Sequence, residues 1–282
     1  MKRAASLAAV LLASLLAPAA ASAADVPIGV TASPLVSPTC PANAQGAACK
    51  IVLTQVTAYE TLRDGIANPD AVKQSGVISS FTLGLASTTL ITPAVLANLD
   101  KAYGGPPEVQ LTVLRPTGTP ADPSFRVAAE SPVYMLSPEL GTVAEFPLLA
   151  PLPVVRGEMV AVTVPTWAPV LSFELPTTQF AYAQSRSQVI TGGTSSCDTT
   201  GGVNLAQIVV GGLSAYGCSY PGTRIEYSAL EITTPPGYVG STRRRMLEAA
   251  AARRRERARR AWQRERSRRL GRYRRVRLSR QA

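Results

Sequence analysis

The sequence predicts an all-β protein: an antiparallel β-sandwich, jelly-roll-like, followed by a basic C-terminal tail that is helical or disordered. Three observations predict it. Short runs of Val, Leu, Ile, Phe and Thr alternate with polar residues at period two, the pattern of half-buried strands. Those runs recur at roughly 10–20 residues, separated by Gly, Pro, Asn and Asp clusters, as sandwiches require. Only one stretch of the body has a helical look. The expected organisation is a signal peptide over 1–24, an extended lead-in with a local disulfide over 25–49, a β-sandwich over 50–240 and an Arg-rich tail over 241–282.

In chain order, Lys2 and Arg3 form a positive n-region, Leu7–Leu16 a short apolar core and Ala21-Ser22-Ala23 a small-x-small cleavage site. That is a secretory signal ending at 23 or 24, too short to span a membrane. The protein is expected to be secreted or held at the cell surface. Asp25–Pro41 is rich in Pro, Ser and Thr and reads as an extended lead-in. Lys50–Tyr59 begins the strands. Asp64-Gly65 and Asn68-Pro69-Asp70 are turn chemistry.

Gly76–Ala86 alternates, with Val77, Phe81, Leu83 and Leu85 assigned to one face along with Ser79. In Thr89–Asp100, Pro93 suits the first turn of a short helix. Glu108–Arg115 turns Val109, Leu111 and Val113 inward, and Ser124–Glu130 turns Phe125, Val127 and Ala129 inward. Leu152–Pro165 is the most strand-like stretch. Val160, Val162 and Val164 form one face, and Arg156-Gly157 reads as a hairpin loop that sets the register of two central strands, with Arg156 and Glu158 in water. Further strands are expected at Val170–Leu175, Gln179–Ser185, Val203–Val210 and Arg224–Ile232. Thr191–Gly202 is the most loop-like part of the body.

Composition excludes several chemistries. The chain has no histidine. Ser-His-Asp and Cys-His nucleophile systems are therefore absent, and with them the commonest metal ligand. No metal site and no cofactor are expected. Four cysteines in an exported chain read as disulfides. Three connectivities exist, and the loops favour the local pairs Cys40–Cys49 and Cys197–Cys218. In the chain-entropy model such loops contribute roughly 2.5–3.5 kcal/mol each.

Charge is unevenly placed. Residues 241–282 hold 18 Arg and 3 Glu, a net of +15, whereas residues 25–240 carry a net of −6. The tail interleaves Arg with helix formers, and Glu256→Arg260 and Glu265→Arg269 are favourable i,i+4 pairs. Arg253, Arg254, Arg255, Arg259, Arg260 and Trp262 are its candidate contacts to an anionic surface, by charge attraction with an aromatic anchor. A cell-wall polymer or anionic membrane is the partner expected in an exported chain, ahead of nucleic acid.

Three candidate sites lie in the body. Trp167, Tyr182 and Tyr216 offer planar rings for a ligand such as a glycan. Glu145 and Glu158 flank the central turn as a conceivable carboxylate pair. Asp64, Asn68 and Asp70 share a loop with oxygen ligands but lack EF-hand spacing. The runs GVISSFTLGLA, LTVLRP, FRVAAESP and FPLLAPLPVVRGEMVAVTV, within Lys50–Ser185, resemble a group of uncharacterised exported β-sandwich proteins of high-GC bacteria. Glu158 stands where that group has Asp. The resemblance implies the fold and export, and it brings no catalytic residue. The function expected is non-enzymatic attachment to an anionic cell surface. A carbohydrate-binding module is the alternative and a carboxylate-dependent hydrolase a more distant one.

Overall fold

A computed structural model describes residues 23–46, 49–191, 194–197 and 203–233. The signal region and the tail lie outside the described residues. The elements are β1 (Asp25–Ile28), β2 (Leu53–Arg63), β3 (Ile66–Ala67), β4 (Gly76–Gly84), α1 (Pro93–Tyr103), β5 (Glu108–Pro116), β6 (Ser124–Glu130), β7 (Tyr134–Met135), β8 (Val143–Val154), β9 (Met159–Ala168), β10 (Leu171–Phe173), β11 (Ala181–Gln184), β12 (Gln188–Thr191), β13 (Thr194–Cys197), β14 (Leu213–Ala215), β15 (Cys218–Pro221), β16 (Thr223–Ile225) and β17 (Tyr227–Thr233).

The fold is the expected all-β antiparallel sandwich. One sheet has the order β1-β17-β4-β8, and the other β14-β6-β5-β9-β2-β11-β15, with β3 and β7 attached to β2 and β5. Small ladders join β10 to β16 and β12 to β13. The main core lies between the large sheets. Ile78, Phe81, Leu83 and Phe146 come from one side, and Val109, Leu111, Val160, Val162 and Val164 from the other.

The second sheet curls until its edges nearly meet. The chain passes from edge strand β14 to the opposite edge strand β15 through Tyr216 and Gly217 alone. Three Cα–Cα steps span at most about 11 Å, so the two edges lie within that distance. The apolar cluster on the concave face of this half-barrel draws none of its described residues from the first sheet.

Several strand phases differ from a strict alternation, and bulges explain them. In β4 both neighbouring strands skip Ser79. The extra residue moves Ile78, not Val77, onto the face of Phe81 and Leu83. In β2 the partner strand skips Thr61, which brings Arg63 onto the side of Glu60.

Leu152–Pro165 is not a hairpin. β8 pairs with β4 in the first sheet, and β9 pairs with β2 and β5 in the second. The turn at Gly157 (φ 88°) is therefore the passage from one sheet to the other. Gly157 N–H donates to the Val72 carbonyl at 2.9 Å. Arg156 is exposed as expected, but Glu158 is buried. Its carboxylate accepts from Val155 N–H at 2.8 Å and from Arg115 Nη2 at 2.7 Å. A short acidic side chain just after the turn closes it from inside.

Val203–Val210 is also not a strand. It runs as a strap, with Val203, Ile208, Val209 and Val210 exposed. Leu205 N–H donates to the Gln55 carbonyl and Gln207 N–H to Thr57 Oγ1. The helix forms as predicted, with Pro93 in its first turn and Gly104 (φ 83°) as its left-handed C-cap. β8 is an edge strand, and its prolines at 147, 151 and 153 leave few donors for another chain to pair with.

Candidate functional site

The concave face of the half-barrel has two zones. Along β9, Met159, Ala161 and Thr163 point into it. Along β5 it receives Leu114 and Thr112, along β2 Tyr59 and Thr57, and along β6 Phe125 and Val127. The deeper zone is polar and sealed. Thr163 Oγ1 lies 2.7 Å from Thr57 Oγ1 and 2.6 Å from Thr112 Oγ1, and none of the three residues is exposed. The strap closes this end, since Gln207 binds Thr57 and accepts the Tyr216 hydroxyl proton on Oε1.

The outer zone is an open cup of about 910 Å³. All seven strands of the curled sheet contribute to its wall: Ala215, Phe125, Pro116, Met159, Tyr59, Ala183 and Ser219. Tyr59, Phe125 and Tyr216 form a mutually packed triangle, with centroids 5.1–5.7 Å apart. Burial and the nearby Asp70 push the Tyr59 phenol up to about 12, and burial raises that of Tyr216 well above its usual value. Both are neutral at physiological pH.

The rim is the proline-rich loop after β5. It is fastened by Thr117 and Gly118 N–H donating to the Ser124 carbonyl, and by reciprocal bonds between Thr119 and Asp122. Asp122 is the one lining residue with an ionisable carboxyl among those described, and no Lys or Arg lines the cup.

A second constellation lies behind the cup wall. Glu60, Arg63, Asp70 and Tyr227 are at most 1% exposed. Arg63 donates to the carbonyls of Gly29, Tyr227 and Ile225, and its guanidinium lies over the Tyr227 ring. Asp70 Oδ2 accepts from Glu60 N–H at 2.7 Å and from the Tyr227 hydroxyl. Glu60 Oε1 accepts from Ile225 N–H and stands 3.8 Å from Arg63. Arg224 and Glu226 extend the cluster at 3.4 Å.

Burial raises Glu60 well above the carboxylate range and lifts Asp70 to about 6, where Arg63 works against it. Three carboxyls face two guanidiniums here. A proton retained on Glu60 balances the charge, which is what removal from water demands. The cluster joins lead-in, β2, β16 and β17. A substrate has no route to its buried groups, so its chemistry is cohesive.

The predicted ligand-binding rings do not form one surface. Trp167 is fully buried, plugged against the helix, and its Nε1 donates to Asp100 Oδ1 at 3.0 Å and to the Gly105 carbonyl at 3.1 Å. No face of its indole is left for a glycan. Tyr182 is buried in the main core, stacked on Tyr220 at 4.8 Å. Only Tyr216 reaches the cup.

Arg253, Arg254, Arg255, Arg259, Arg260 and Trp262 lie outside the described residues. Both local disulfides form, Cys40–Cys49 and Cys197–Cys218, with Cα–Cα distances of 5.3 and 5.5 Å. Glu145 is exposed on β8 while Glu158 is buried against Arg115, so the two do not face each other across a cleft. The Asp64–Asp70 loop does not converge on a cation. Both Asp64 oxygens bind Ser33, and Asp70 points inward. Among the described residues no group of three Cys, Asp or Glu side chains could hold a metal ion.

Apart from Tyr216, the cup residues escaped the sequence reading because they are scattered from 59 to 219. Their signal was β9 itself. Met159–Ala168 is buried along nearly its whole length, and its apolar run on both faces marks a strand covered twice. Comparison with protein-family models, with curated proteins and with solved structures finds no match for this chain.

Proposed function

We propose that this is an exported, non-enzymatic β-sandwich protein whose Arg-rich tail attaches it to, or concentrates it at, an anionic cell surface. The observation that carries the reading is the charge partition, +15 over 241–282 against −6 over 25–240. The body's arginines support it. Arg63 and Arg224 are buried, Arg115 is paired with Glu158, and Arg126 donates to the Gly211 carbonyl. The body keeps exposed cations at Lys50, Lys73, Lys101 and Arg156, but its formal charge is negative, so attraction to a polyanion falls to the tail. Two disulfides suit an oxidising, extracellular environment.

Such attachment is Coulombic and weakens with salt. The test is co-sedimentation with isolated cell walls and with phosphatidylglycerol vesicles, comparing the full chain with a chain ending at Gly240. The full chain should pellet at low salt and be released at ~0.5 M salt, where the Debye length falls to a few Å. Equal pelleting by both chains would sink the reading.

A further inference from the structure

The tail leaves the open cup of the body unexplained. We propose that the cup in the curled sheet is a binding site for an uncharged, largely apolar small molecule. The inference goes beyond surface attachment and does not depend on the tail. Its first support is construction. One face of seven strands converges on the cup, and two elements with no place in the sandwich core complete it: the β14–β15 connection carrying Tyr216 and the proline-rich rim. At about 910 Å³ it has the size of a small-molecule site.

The second support is the lining. The depth is apolar and polarisable, formed by Tyr59, Phe125, Met159, Ala183 and Tyr216, each under 10% exposed. Thr61, Ser124, Ser187 and Ser219 ring it with neutral hydroxyls. This is the usual composition of a ligand pocket, with an apolar body and a few polar groups for orientation.

The third support is charge. Among the described residues no Lys or Arg lines the cup, so they offer no cationic side chain to a phosphate or carboxylate. Arg115 is paired with Glu158 and Asp70 is held by its own cluster, which leaves Asp122, exposed on the rim, as the one carboxyl among the described lining residues. A free sugar is also a poor fit. Phe125 packs edge to face on both Tyr59 and Tyr216, and the two tyrosines are tilted at 50° to each other, so the rings cover one another's faces.

The rim bonds are made within the protein, so the cup is preformed and binding needs little ordering.

The experiment uses the full chain and the uncharged fluorophore N-phenyl-1-naphthylamine, whose emission rises in apolar surroundings. A saturable rise with a single class of site is expected, displaced by 1-decanol and not by glucose. Ala183→Phe fills the cup from β11, and Ala215→Trp fills it from β14. Each should weaken binding by about tenfold or more while the far-UV spectrum is kept, and either variant alone suffices if the other fails to fold. The chain ending at Gly240 should bind the probe as the full chain does, which separates this site from the tail. No saturable binding, displacement by glucose as readily as by decanol, or undiminished binding by a folded cup-filling variant would overturn the proposal.

Discussion

Arg63 shows what one side chain can hold together. Its guanidinium serves three carbonyls from the lead-in and from the β16–β17 segment, while Asp70 and Glu226 supply the opposing charge. Removing one member of a buried charge cluster strands the rest, so Arg63→Ala should cost about 3–5 kcal/mol in urea unfolding. A loss below ~1 kcal/mol would show that the cluster contributes little.

Trp167→Ala should behave as a core deletion, costing about 3–5 kcal/mol, because the indole is fully buried and both its hydrogen-bond acceptors lie in the protein. A Trp167→Ala protein as stable as the parent would contradict the plug.

The raised carboxyls also set a pH dependence. Burial lifts Glu231 to about 7 and Asp70 to about 6, against unfolded values near 4. The folded state binds these protons more tightly. Their contribution is therefore full below pH ~4 and lost as pH rises through 6 and 7. Stability should fall between pH 5 and pH 8, and Glu231→Gln should flatten that fall by on the order of 2 kcal/mol. Denaturant midpoints at the two pH values measure it, and an unchanged slope in the variant would refute the assignment.

At the scale of elements, the lead-in is integral to the sandwich. β1 extends the first sheet beside β17, and the chain after it crosses β4 at Gly84. A Cβ at Gly84 would stand 1.9 Å from the Val36 carbonyl oxygen. Gly84→Ala should therefore cost about 1–3 kcal/mol by displacing the lead-in, and limited proteolysis should cut that segment faster. Unaltered protection of residues 30–40 would count against it.

Ser124–Glu130 was legible because period two survives at Phe125, Arg126 and Val127, and Glu108–Pro116, though buried on both faces from Val109 to Leu114, keeps period two in its apolar residues. The phase of β4 was not, since a bulge at Ser79 is set by neighbours hundreds of ångströms of chain contour away. Nor was the sheet crossing at Gly157. A tight turn between two apolar runs looks the same whether its strands pair or part. The disulfides were legible because short loops close cheaply. The cup was not, because a concave face is a property of sheet curvature rather than of any one strand.

At the scale of the whole molecule, burial modifies the charge partition that carries the functional reading. The formal side-chain charge is −6 over 25–240 and +9 over 25–282. The acidic figure assumes every carboxyl ionised. Yet burial holds Glu60 far above the carboxylate range, and Glu231 titrates near 7. The folded body ending at Gly240 should therefore carry about −4 to −5 at pH 7, growing more negative by pH 8.5 as Glu231 releases its proton. Unfolding frees both groups and restores the formal value. Capillary electrophoresis checks this directly. The truncated protein should move toward the anode and the chain over 25–282 toward the cathode at pH 7. The truncated protein's mobility should rise between pH 6 and pH 8.5, a change that Glu231→Gln removes in part. A flat mobility over that range would mean that the buried carboxyls are already ionised in the fold. The full −6 would then face the tail, and its attraction to an anionic surface would compete with a more strongly negative body.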